Sequence, residues 1–141
     1  MNSIEFKKEQ LSFLLENFNS AGVYSLSDED KQILYIGKSS DLSKRVMSHI
    51  IYALCEDDFY TDVSNINLFK TQNEVIASHL EVLMIETFNP LKNRISYPYT
   101  DWLKTIPLSV KNISLKEVLQ MLNKFKNKDD VYSIDLNYFR G

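Results

Sequence analysis

Residues 22–49, GVYSLSDEDKQILYIGKSSDLSKRVMSH, leave this chain few ways to fold. Gly22-Val23-Tyr24-Ser25-Leu26 and Ile33-Leu34-Tyr35-Ile36-Gly37 are rich in aromatic and β-branched residues, which suit a pleated surface. They flank the polar run Asp28-Glu29-Asp30-Lys31, so the pattern predicts an antiparallel hairpin. With the turn centred on Glu29-Asp30, Gly22 faces Gly37, Val23 faces Ile36, and Tyr24 faces Tyr35. Opposed side chains on such a pair stand about 5 Å apart at Cβ, which sets the two phenols side by side. Beyond Gly37, Ser39-Ser40-Asp41 offers capping oxygens to a helix predicted from Ser40 to Leu54. Arg45 and His49 are four residues apart on it and share a face. Two phenols, a guanidinium and an imidazole are thereby directed at one concavity.

This ordered set resembles the GIY-YIG nuclease family. Gly22-Val23-Tyr24 stands for the first signature, with a conservative Val for Ile, and Tyr35-Ile36-Gly37 is the second without change. Lys38, Arg45 and His49 follow at the family's spacing. The resemblance continues to Glu81 and to Asn93 within Asn89-Pro90-Leu91-Lys92-Asn93, covering about half of the chain. It implies an α+β fold: a small antiparallel sheet of three central strands flanked by helices, here with a C-terminal helix and strand extension. It also implies a DNA endonuclease dependent on Mg²⁺, or on Mn²⁺ in its place. Glu81 would be the metal ligand, and Tyr24, Tyr35, Arg45, His49 and Asn93 would complete the catalytic set. Gly37, Lys38 and Arg45 would touch substrate.

The length of 141 residues suits one domain over 1–141: a core at 21–93, an N-terminal helix at 4–18 and an extension at 94–141. No apolar run is long enough to span a bilayer, and MNSIEFKKEQ lacks the layout of a secretory signal. Cys55 is the single cysteine, so no internal disulfide forms and a reducing compartment fits. The expectation is a cytoplasmic protein of a prokaryotic or phage-infected cell. A net charge of −3 speaks against a protein that simply coats nucleic acid. Lys38, Lys44 and Arg45 are nonetheless grouped against Asp41 alone, as a locally basic cleft requires.

Elsewhere the reading is mostly structural. Ile4 to Phe18 reads as an amphipathic helix, with Ile4, Leu11, Leu14, Leu15 and Phe18 as its apolar stripe, covering one side of the sheet. Glu56 to Asp62 reads as a solvated acidic loop rather than a metal-collecting one, and Val63 to Lys70 as the third strand. Thr71-Gln72-Asn73-Glu74 has the capping-box form before the apolar helix VIASHLEVLMIETF, which Pro90 terminates. Glu81 projects from that helix with Ala77, Ser78, Met84 and Ile85 on its face, so its charge needs a positive partner. His79 fits no motif position. The aromatic, proline-containing stretch 94–110 reads as a lid before it reads as a base-stacking surface. Ser114-Leu115-Lys116-Glu117 opens a further amphipathic helix, and Tyr132, Ile134, Leu136 and Tyr138 alternate as a last strand.

Under the resemblance, Arg45 offers forked donors to phosphate oxygens. Tyr24 is the first choice for the general base with His49 as relay or activator, Tyr35 is the second, and the choice between the phenols stays open. Asn93 would fix a tyrosine or backbone near the metal. The partner would be double-stranded or branched DNA, with self-association or a protein partner supplying specificity. The rival class is a non-cleaving module that grips nucleic acid or protein.

Overall fold

The computed structural model describes residues 3–96 and 131–140. In chain order these form α1 (Ser3–Asn17), β1 (Gly22–Ser27), β2 (Ile33–Ser39), α2 (Leu42–Leu54), a 3₁₀ turn (Asp58–Tyr60), β3 (Asn65–Lys70), α3 (Glu74–Phe88), α4 (Leu91–Ser96), β4 (Val131–Asp135) and α5 (Leu136–Arg140). The strands make one antiparallel sheet in the order β2-β1-β3-β4. The predicted helix from Ser114 and most of the 94–110 stretch lie outside the described residues.

Every residue of β1 is buried, because the strand has a neighbour on each edge and helices on both faces. One face carries Tyr24, Leu26, Ile66, Leu68 and Ile134 against α1 and α2, where Leu14, Phe18, Leu42, Val46, Ile50 and Ala53 meet them. The other carries Val23 and Ile36 against Ala77, Leu80, Met84 and Ile85 of α3. Leu15, included in the predicted stripe of α1, is instead 47 % exposed; Leu14 and Phe18 are fully buried.

The hairpin forms where expected but with a different register. Tyr24 pairs with Gly37, and Tyr35 pairs with Leu26. The turn is longer than two residues: the Asp28 carboxylate accepts from the backbone of Asp30 and Gln32, both at 2.9 Å. Lys31 takes a left-handed φ of 65° to close it. An irregularity between Leu26 and Ser27 adds a further shift. The combined slip is two residues, and since side chains alternate with period two, both tyrosines stay on the same face. They are diagonal neighbours with ring centroids 6.2 Å apart.

Helix starts also follow local hydrogen bonding. Asp41 caps α2, accepting from the Lys44 backbone. Asn73, not Thr71, caps α3, its side chain accepting from Ile76 at 2.9 Å while the Thr71 hydroxyl donates to the Asn73 carbonyl. Past α3, Asn89 supplies the left-handed C-cap at φ 48°. The last strand stops at Asp135, whose carboxylate accepts from the Asn137 backbone, so Leu136 to Arg140 coil into α5 and the expected strand position at Tyr138 is helical.

Candidate active site

The site is built where β1, β2 and α2 meet. Both signature glycines are there for steric reasons. A Cβ on Gly37 would fall on the Oη and Cζ of Tyr24, and one on Gly22 would fall on Leu42 and the Phe69 carbonyl. The close approach that Gly37 allows is thus an approach by the Tyr24 ring. Gly37→Ala is expected to destabilise the fold by about 1–3 kcal/mol and swing that ring away, as read by urea denaturation and tyrosine fluorescence.

Tyr24 is 1 % exposed, with Arg45 Nε donating to its hydroxyl at 3.4 Å. Burial pushes the phenol's pKa up; hydrogen bonds from Arg45 and Tyr35 oppose this, and the Glu81 charge adds to it. Arg45 therefore lies where expected, four residues before His49, and no acid pairs with it among the described residues. Tyr35 is buried beside Tyr24 and edge-on to Phe59.

His49 is 7 % exposed and lies on the Tyr24 ring, with centroids 4.8 Å apart. Its Nδ1 hydrogen-bonds the Tyr60 hydroxyl at 2.5 Å, and its Nε2 has no partner among the described residues. Burial and the neighbouring Arg45 charge hold its pKa down to about 4, so the ring is neutral at physiological pH.

Glu81 comes from α3, on the opposite face of the sheet, and lies beside Lys38 near the end of β2, where its charge acts on the Tyr24 phenol. Its pKa is pushed up to about 7 by burial, against the pull of the Lys38 ammonium and backbone N–H. No ion pair holds it among the described residues. Lys38 itself donates to Ser78 Oγ at 2.8 Å. Lys38, Ser39, Ser40, Glu74 and Ser78 line an open hollow of about 290 Å³ next to the acid's helix.

Asn93 reaches back from α4 to the free edge of β2. Its Oδ1 accepts from Ile36 N and its Nδ2 donates to Ile36 O, both at 2.8 Å. One side-chain amide thus does for this edge strand what a further strand would do, holding the backbone between Tyr35 and Gly37.

Sequence reasoning missed Tyr60, Phe59 and Arg140. The acidic run 56–62 holds two aromatics that charge alone cannot solvate, and the chain buries Tyr60 by winding the 3₁₀ turn under an Asp57 cap. The adjacent Phe and Tyr were the available signal. Arg140 could be found only from the fold.

With Tyr24, Tyr35, Arg45 and His49 together on a small antiparallel sheet flanked by helices, Asn93 on its edge and Glu81 beside Lys38, the chain belongs to the GIY-YIG nuclease family. The UvrC-like GIY-YIG domain matches residues 20–94, more than half of the chain. Among relatives, UvrABC system protein C of Pasteurella multocida is 33 % identical over 96 residues, covering 62 % of this chain and 16 % of that protein. The protein of the same name from Histophilus somni strain 2336 is 34 % identical over 98 residues, with the same coverage. This chain therefore spans about a sixth of the relatives it matches. The GIY-YIG N-terminal endonuclease domain of UvrC from Thermotoga maritima, solved with its catalytic magnesium, is 23 % identical, covering 59 % of this chain and 94 % of that one at a TM-score of 0.45.

Proposed function

We propose that this chain is a DNA endonuclease that hydrolyses phosphodiester bonds around a single hydrated Mg²⁺, with 1–141 acting as one domain. The observation that carries the reading is Glu81: a largely buried carboxylate, free of any ion pair among the described residues, beside Lys38 and close enough to Tyr24 for its charge to act on that phenol. An acid so placed is costly to ionise unless a cation meets it. Among the described residues no cluster of three or more His, Cys, Asp or Glu could hold a metal. One carboxylate with water completing the shell suits Mg²⁺ or Mn²⁺, hard ions that keep most of their waters. Bound there, the ion would supply Lewis acidity to the phosphate and neutralise the leaving oxygen.

The chain's own groups divide the remaining work. Arg45 would hold non-bridging phosphate oxygens, since its Nε is engaged with Tyr24 while its terminal nitrogens extend the fork. Tyr24 would take the proton of the attacking water, and Tyr35, which hydrogen-bonds it, would steady that oxygen. Asn93 keeps the Tyr35–Gly37 backbone in place. Lys38 and the hollow beside it would pass the neighbouring phosphates of the strand. Arg45→Lys is expected to lower kcat at least tenfold with DNA affinity nearly unchanged, because a point charge replaces a planar fork; filter binding and single-turnover cleavage separate the two.

The test is incubation with supercoiled plasmid and with flapped or branched DNA, in Mg²⁺ and then in chelator. Nicking in Mg²⁺ that stops with chelator is expected. Tight binding without cleavage in either condition would favour the non-cleaving module, for which the low overall basicity counts modestly.

A further inference from the structure

We propose that Tyr60 is a positioning residue of this site: its hydroxyl donates to Nδ1 of His49, places the ring proton on Nε2, and so presents His49 as a neutral hydrogen-bond donor. The inference rests on the nuclease reading and names a residue outside the family's signature. Tyr60 comes from the acidic turn and is 6 % exposed, yet its hydroxyl lies 2.5 Å from Nδ1. The two rings meet edge to face at 5.7 Å. A phenol has one proton to give, and among the described residues the imidazole nitrogen is the acceptor in reach. Were the imidazole the donor, the phenol proton would be left buried without an acceptor, at a cost of about 1–3 kcal/mol.

With Nδ1 accepting, the single ring proton of a neutral imidazole must sit on Nε2. That atom is buried and partnerless among the described residues, so it is the donor the neutral ring has left to give. Burial keeps both members of the pair in these forms, pushing Tyr60 up to about 12 and His49 down to about 4. The arrangement assigns His49 the task of donating a hydrogen bond, while proton abstraction falls to a tyrosine.

The C-terminal helix holds the positioning residue itself. Arg140 Nη2 donates to the Tyr60 carbonyl at 2.6 Å and Nη1 to the Val63 carbonyl at 2.7 Å. One guanidinium thus spans the turn that carries Tyr60, so α5 contributes to the geometry of His49 from the far end of the chain.

The test is ¹⁵N-histidine NMR on the full chain, where His49 and His79 are the only histidines and His79→Gln identifies them. The expected spectrum shows His49 as the Nε2–H tautomer in the unsubstituted protein and as a tautomer mixture in Tyr60→Phe. Arg140→Gln is expected to shift it part of the way. Cleavage by Tyr60→Phe should fall about ten- to hundredfold in kcat, the usual effect of losing an orienting partner, with KM nearly unchanged and the melting temperature lowered by a few degrees because Nδ1 is left buried without a partner. An Nδ1–H tautomer in the unsubstituted protein, or an unaltered spectrum in Tyr60→Phe, overturns the proposal. An unaltered Arg140→Gln spectrum removes α5 from it. The expected tautomers in a protein that cleaves nothing would uphold the Tyr60–His49 geometry and overturn the nuclease reading.

Discussion

Glu81→Gln is expected to abolish Mg²⁺-dependent cleavage while making the metal-free protein more stable at pH 8. The two effects have one cause. The carboxyl's pKa is pushed from 4.5 up to about 7 by burial, so the folded protein holds this proton more tightly than the unfolded chain. The stability contributed by that proton is complete below about pH 4.5 and is lost as the pH rises through about 7. At pH 8 the folded protein carries a buried ionised acid, a handicap of at most about 3 kcal/mol that the amide removes. At pH 4 the variant and the parent protein should melt together. Mg²⁺ at pH 8 should raise the melting temperature of the parent protein and leave that of Glu81→Gln unmoved, since only the former would bind it. Calorimetry at the two pH values, with and without the ion, reads all of this. A variant that is less stable at pH 8 would show the acid to be satisfied by protein.

Tyr24→Phe is expected to lower cleavage by about 10²–10⁴-fold, the range for removing a general base, with little loss of stability. The ring fills the same space over Gly37, and the hydroxyl gives up the long 3.4 Å hydrogen bond from Arg45 and its bond with Tyr35. Burial keeps the resting phenol protonated at neutral pH, so the rate should climb about tenfold per pH unit through the neutral range. In Tyr24→Phe that slope should flatten. If the slope persists in Tyr24→Phe and vanishes in Tyr35→Phe, the second phenol is the base. A rate unchanged in both would remove the tyrosines from proton transfer.

Much of this architecture was written locally. The hairpin, α2 and the helix carrying Glu81 each announce themselves by side-chain period and by flanking caps, and the glycines mark contacts that tolerate no Cβ. Register was less legible, because it depends on how Asp28 folds the turn backbone around its own carboxylate. Period-two alternation made that error harmless for the site: a slip of two residues returns the tyrosines to the same face. The cap of α3 went to Asn73 over Thr71 because the side chain adjacent to the helix reaches its amides first. Tyr60 and Arg140 were illegible for a different reason. The Phe59-Tyr60 pair signals burial, but the contacts themselves lie 11 residues away for Tyr60, and 77 and 80 residues away for Arg140, so no local pattern registers those contacts.

Titration with Mn²⁺, followed by electron paramagnetic resonance and by broadening of the His49 signals, tests the shared-cation site most directly. The account predicts one ion per chain, broadening of the His49 signals, and loss of both effects in Glu81→Gln. Binding that survives Glu81→Gln, or an ion that leaves the His49 signals sharp, would contradict it.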